Sequence, residues 1–166
     1  MRAQPGNAAH TPEGEHDVRI KTVLVPTDFS SGASTALGWA RTLANAFGAE
    51  IVLLHAVDLS LVWMPISGPA AIPAPLSGEL VDRVTQHAQA ALDAEAPNAT
   101  EITRRLLRRG DAREVILDVA EEVHADVIVM GTHGRRGFSH LFIGSVAEHI
   151  VRHARVPVWT VRVEGA

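Results

Sequence analysis

From Val18 onward the chain alternates between short apolar runs rich in β-branched residues and longer stretches whose apolar residues recur three and four apart. The first rhythm predicts strands and the second amphipathic helices. Thr22-Val-Leu-Val25, ended by Pro26, predicts a first strand. Ser30 or Ser31 can cap a helix running through Ala36, Leu37, Ala40, Leu43, Ala44 and Phe47, with Gly48 as its stop. Ile51–Val57 is apolar nearly throughout, as expected of a strand covered on both faces. Ser77-Gly-Glu-Leu opens a second helix that continues to about Ala96, and Glu101–Arg109 predicts a third strand. Asp111-Ala-Arg-Glu114 reads as a capping box ahead of a third helix ending near His124. Asp126–Met130 is a fourth strand, Ser145–His153 a fourth helix, and Val156–Val163 a fifth strand whose Pro157 suits a sheet edge. Between the second strand and second helix, Leu59–Leu76 carries four prolines and is long for a loop, a type that often serves as a lid.

Five strands with four intervening helices imply an α/β domain with an open, parallel five-stranded sheet and helices on both faces. In such sheets ligands gather at the carboxyl ends of strands, where the winding direction reverses. With the order 3-2-1-4-5, that reversal lies between the first and fourth strands. Two polar signals then meet at one crevice: Pro26-Thr27-Asp28, and the loop that begins Gly131-Thr-His-Gly134 and ends at Gly144-Ser145. A glycine-bearing loop between strand and helix brings bare backbone N–H groups against a phosphate, and the helix that follows adds its positive end. His133, Arg135 and Arg136 lie in the same loop, where arginine adds charge-assisted contacts.

Composition narrows the choices. The 166 residues suit one domain with a tail: 1–17, polar and rich in Gly, Pro and His, as a flexible segment, and 18–166 as the domain. A hydrophobic share of 46% is ample for a core, and the absence of cysteine excludes disulfide scaffolds, thiolate zinc sites and cysteine nucleophiles. A net charge of −4 supplies no global field for nucleic acid, so none is expected as a partner. The tail lacks the apolar centre of a secretory signal, and no apolar run approaches the roughly 20 residues of a membrane span. A soluble, cytoplasmic protein is the expectation.

Other constellations carry less. Arg104-Arg105-Leu-Leu-Arg108-Arg109 reads as a charged guard on a sheet edge. His149 and His153 are four apart on a helix, a spacing that suits metal, but without a third ligand or a His-Glu-x-x-His pattern. His55, inside a strand, reads as a packed residue. Gly-x-x-x-x-Gly-Lys-Ser/Thr and Gly-x-Gly-x-x-Gly are both absent, which excludes a P-loop ATPase and a dinucleotide fingerprint. A phospho-accepting receiver domain shares the fold class but needs clustered acids after the first strand, where this chain has only Asp28.

Val25-Pro26-Thr27-Asp28-Phe29-Ser30, the Gly131-x2-Gly134-x9-Gly144-Ser145 motif and the closing Val156-Pro157-Val158-Trp-Thr-Val161-Arg162 together resemble the ATP-binding branch of the universal stress protein family, over about Ile20 to Arg162. The resemblance implies an adenine nucleotide alpha hydrolase-like fold. It also implies roles residue by residue. Gly131, Gly134, Gly144 and Ser145 would cradle the triphosphate of ATP, Asp28 would bond the nucleoside, and Pro26, Thr27 and Val57 would line the adenine and ribose slot, with Met130 as an apolar neighbour. Magnesium or manganese would bridge the phosphates without a protein cage. A homodimer paired through Val156–Val163 is also implied, and a nucleotide-responsive regulator instead of a fast catalyst, with ATP ordering the glycine loop and the Leu59–Leu76 segment. Two alternatives remain: a dimeric interaction module that binds no nucleotide, and a slow ATPase or autophosphorylating enzyme.

Overall fold

The computed structural model describes residues 19–59, 77–132 and 143–162. Nine elements alternate along it: β1 (Thr22–Pro26), α1 (Ser31–Phe47), β2 (Glu50–Val57), α2 (Gly78–Ala94), β3 (Ile102–Arg109), α3 (Ala112–Glu122), β4 (Val127–Gly131), α4 (Ser145–His153) and β5 (Val158–Val161). The strands form one parallel sheet, as the alternation predicts, and its order is the expected β3-β2-β1-β4-β5.

That order dictates where the helices lie. The chain winds from β1 through β2 to β3, then returns to the far side of β1 for β4 and β5. Because parallel crossovers are right-handed, reversing the winding moves the helices to the opposite face. Val23, Val25, Ile51, Leu53, Val127 and Val129 accordingly pack with α1 and with Leu92 of α2. Their alternate neighbours Leu24, Val52, Leu54, Ile128 and Met130 pack with Val115, Ile116 and Val119 of α3 and with Ala147 and Ile150 of α4. Successive side chains of a strand point to opposite faces, so strands buried on both sides must be apolar throughout.

Element ends follow local chemistry. Ser30 is the N-cap of α1, its hydroxyl accepting from the Ala33 N–H at 3.3 Å, and Gly48 closes the helix at φ 66°. The second helix ends at Ala94, two residues before Ala96, because Glu95 turns extended at ψ 116° and Ala96 follows at φ 45°; α3 ends at Glu122, two residues before His124 at φ 51°. Asp111 caps α3 by accepting from the Arg113 N–H at 2.8 Å, so the bond of the cap runs to Arg113 and not to Glu114. In β5, Val156 and Pro157 fall outside the strand, although the Pro157 carbonyl still accepts from the Ile128 N–H at 3.0 Å. Val163 lies outside the described residues.

The two sheet edges differ in chemistry. Along β3, Arg104 pairs with Glu50 at 3.4 Å, Arg108 with Glu122 at 2.8 Å, and Arg109 bonds Thr85 at 3.2 Å. Arg105 reaches the carbonyls of Leu92, Glu95 and Ala96 at 3.0–3.2 Å, closing the carboxyl end of α2. These arginines are spent locally, as the reading of an edge guard anticipates. The β5 edge is Val-Trp-Thr-Val, with no charge in the strand.

Candidate functional site

The reversal of winding places the carboxyl ends of β1 and β4 side by side, and both candidate segments leave from there. After β1 the backbone turns into α1 through three successive side-chain caps. Thr27 Oγ1 accepts from the Phe29 N–H at 3.0 Å, Asp28 Oδ1 accepts from the Ser30 N–H at 3.0 Å, and the Ser30 hydroxyl takes the Ala33 N–H. Each satisfies a donor that neither strand nor helix can serve. Thr27 is buried and its own N–H donates to the Leu54 carbonyl at 2.8 Å, while Pro26 and Asp28 are half-buried. Asp28 is thus a turn-forming residue at the crevice.

Phe29, between them, holds φ 63°, a conformation that a bulky side chain adopts only at a cost of about 1–3 kcal/mol. Its ring lies 4.4 Å from that of His55, and His55 Nδ1 is 2.7 Å from the Thr27 carbonyl. A carbonyl only accepts, so Nδ1 carries the proton. The strained turn is therefore held from β2 by a ring contact and a hydrogen bond. His55 is more than packing, and its position on a strand next to β1 was the only sequence signal for it.

At the end of β4, Gly131 lies against the first turn of α1. A Cβ there would stand 2.8 Å from the Gly32 carbonyl carbon, 3.0 Å from its oxygen and 3.2 Å from the Ala33 nitrogen. The missing side chain at Gly131 lets α1 pack onto β4. Buried Thr132 follows: its N–H donates to the Val161 carbonyl at 3.0 Å, and its carbonyl accepts from the Gly144 N–H at 2.7 Å. This bond closes the base of the loop and brings Gly144 and Ser145 back beside Gly131. Gly144 is the N-cap of α4, and no side chain among the described residues caps it, whereas Ser30, Ser77 and Asp111 cap the other three helices. Ser145 is exposed at the helix start. His133, Gly134 and Arg135 lie outside the described residues, as does the loop 60–76.

Two further candidates stand elsewhere on this edge. Val57 ends β2 and lines a shallow, open hollow of about 430 Å³ with Asp58, Leu59, Arg109, Gly110 and Asp111. Two strand intervals separate β2 from β4, roughly 10 Å at the usual spacing. Met130 is buried among Leu24, Ile128, Ala147 and Ile150, so its side chain belongs to the core beneath the loop. Beside the hollow, the guanidinium and N–H of Arg113 hold the Asp111 carboxyl down at about 2. On α4 the rings of His149 and His153 stack at 4.2 Å, and the carbonyl of His149 is 2.9 Å from His153 Nδ1. No group of three or more His, Cys, Asp or Glu able to hold a metal occurs among the described residues, and no described helix is long and apolar enough to cross a membrane.

Comparison with known proteins agrees with this geometry. The model of the universal stress protein family matches residues 19–162. Universal stress protein MJ0531 of Methanocaldococcus jannaschii is 34% identical over 147 residues, covering 86% of this chain and 82% of that protein. The solved structure of MJ0577, a universal stress protein of the same organism, superposes with a TM-score of 0.74 at 25% identity, covering 90% of this chain and all of the other. A universal stress protein in complex with cAMP shares the fold at a TM-score of 0.56 and 24% identity, covering 87% of this chain and 98% of its own.

Proposed function

The chain belongs to the universal stress protein family, and from that premise we propose that it binds ATP at the β1/β4 crevice and acts as a nucleotide-responsive regulator in the cytoplasm. The observation that carries this reading is the seat at the start of α4. There the helix has no capping side chain among the described residues, its N-cap glycine is tied to the strand end by the Thr132–Gly144 bond, and Gly131 lies alongside. Backbone N–H groups of a first turn that no side chain serves attract a phosphate, and the helix dipole adds to the attraction.

In this reading the triphosphate lies on Gly131, Gly134, Gly144 and Ser145, with His133 and Arg135 beside it. The nucleoside crosses β1 past Pro26, Thr27 and Asp28 toward Val57. The hollow at Val57 has the volume for a base, and the span from β4 to β2 suits a nucleotide lying along the sheet edge. A neighbour of the same fold is in complex with cAMP, a smaller relative of this ligand. Magnesium or manganese would accompany the phosphates.

The second part of the proposal is a homodimer through β5. That edge exposes Trp159 (40%) beside Trp39 of α1 (47%), ring centroids 5.7 Å apart, while the opposite edge is covered with arginine. An uncharged edge bearing exposed aromatics is a template for another strand, and a second copy satisfies it across a two-fold axis.

Heat-denaturing the purified chain, chromatographing what is released, and titrating the stripped protein with ATP tests the ligand. Adenine nucleotide in the supernatant and saturable binding heat are expected. A clean supernatant together with no binding heat would leave the interaction-module reading.

A further inference from the structure

β5 is a four-residue edge strand that pairs, among the described residues, with β4 alone. Its last residue is joined to the proposed phosphate seat by consecutive hydrogen bonds. The Val161 carbonyl accepts from the Thr132 N–H at 3.0 Å, and Thr132 Oγ1 reaches the same oxygen at 3.4 Å. The Thr132 carbonyl accepts from the Gly144 N–H at 2.7 Å, and the Gly144 carbonyl takes the Glu148 N–H at 2.9 Å, the first bond of α4. Thr132 is 6% exposed, so an opening of this relay leaves its polar groups with few alternatives in water.

We infer that Thr132 couples self-association through β5 to nucleotide binding at the start of α4, so that each tightens the other. The inference rests on the two readings above, β5 as a self-association edge and the start of α4 as a phosphate seat. Edge strands open locally more readily than strands paired on both sides. When Val161 leaves β4, the Thr132 N–H loses its acceptor, and the Thr132 carbonyl no longer fixes the Gly144 amide. A partner strand on the free side of β5 suppresses that opening. A phosphate held by the first-turn amides from Ser145 onward, with the Gly144 amide still given to the Thr132 carbonyl, suppresses it from the other end. Two ligands that order the same segment share one entropic cost, which gives positive coupling without a change of shape. Linkage makes the effect reciprocal.

The test uses the whole chain stripped of nucleotide. Sedimentation velocity over a concentration series, with and without saturating ATP, gives the dimer dissociation constant. Calorimetry above and below that concentration gives ATP affinity in dimer and monomer. The dimer constant falls about five-fold or more with ATP, and ATP binds correspondingly more weakly on dilution. A Trp159→Glu variant, checked for folding by circular dichroism, is monomeric, binds ATP about five-fold or more weakly, and exchanges its Thr132 and Gly144 amides faster. Intact dimerisation and intact ATP binding with no dependence of one on the other overturn the coupling alone. A chain that binds no ATP, or is monomeric throughout, overturns the underlying reading and the coupling with it. The dilution series needs no variant, so it decides the matter even where Trp159→Glu misfolds.

Discussion

Gly131→Ala separates what the glycine does for the fold from what it does for a ligand. The added Cβ would fall 2.8 Å from the Gly32 carbonyl carbon and 3.2 Å from the Ala33 nitrogen, far inside the ordinary contact of about 3.5–4.0 Å between carbons. Both opposing atoms are backbone in the first turn of α1, so no side chain can swing aside. Relief requires α1 to move off β4, and Ala33 is the residue whose N–H the Ser30 cap holds at 3.3 Å. Overpacking of this kind costs about 1–3 kcal/mol. In a chain of this length each kcal/mol lowers the melting temperature by about 2–4 °C, so a fall of roughly 2–12 °C is expected in a nucleotide-free thermal melt. Gly38→Ala is the internal control. Gly38 is exposed in the middle of α1 with nothing within 4 Å of the new methyl, and alanine there should stabilise by about 0.8–1.0 kcal/mol through helix propensity. A Gly131→Ala protein that melts at the wild-type temperature would refute the close-packing argument and leave ligand contact as the only role for that glycine.

The remaining predictions concern the same frame. Arg105→Met strips the carboxyl end of α2 of three charge-assisted contacts and should cost about 1.5–3 kcal/mol in urea unfolding. Arg104→Ala removes only an exposed pair with Glu50 and should cost under about 1 kcal/mol; equal losses for the two would overturn the distinction. Asp111→Ala removes the α3 cap and should cost about 1 kcal/mol at neutral pH. The Asp111 carboxyl is depressed from 3.8 to about 2, so its ionic contribution is complete above the ordinary value and fades as pH falls through about 2. The stability gap between wild type and Asp111→Asn should therefore close between about pH 4 and pH 2, and a gap that persists at lower pH would contradict the assignment.

Much of the frame could be read from the sequence because burial on both faces leaves little ambiguity. Ile51–Val57 is apolar almost without break, and the caps Ser30, Ser77 and Asp111 and the stop Gly48 mark helix ends by chemistry that local sequence carries. Where the backbone departs from regular pairing, the pattern still marks the strand, Glu101–Arg109 expected and Ile102–Arg109 observed, but not which face each residue takes. In Ile-Thr-Arg-Arg-Leu-Leu-Arg-Arg of β3 both faces carry arginine and leucine, and a bulge shifts the register between Ile51↔Ile102 and Val52↔Arg104. The extra residue switches faces along the strand. Ile102 joins the α1 side before it, whereas after it Arg105 and Leu107 take that side and Leu106 and Arg108 the other.

At the site, Asp28, Gly131 and Gly144 could be placed on one edge once the strand order is given. The contact between Gly131 and Gly32, the strained Phe29, and the anchoring of Thr27 by His55 could not, since each is a meeting of residues distant in sequence. Gly32 did leave a trace, as a glycine in the first turn of a helix, where close backbone approach is a common reason for one.

The start of α4 as a phosphate seat is the claim on which the account turns, and Gly144→Asp tests it most directly. Gly144 holds φ −61° and ψ 150°, a conformation open to any residue, and aspartate is a better N-cap than glycine by a few tenths of a kcal/mol. Its carboxylate would take the amides offered to the ligand and repel the phosphates. Calorimetric titration of wild type and Gly144→Asp with ATP should show saturable binding to the first and none to the second, with the variant melting at or above the wild-type temperature. Equal ATP affinity in the two folded proteins would contradict the account.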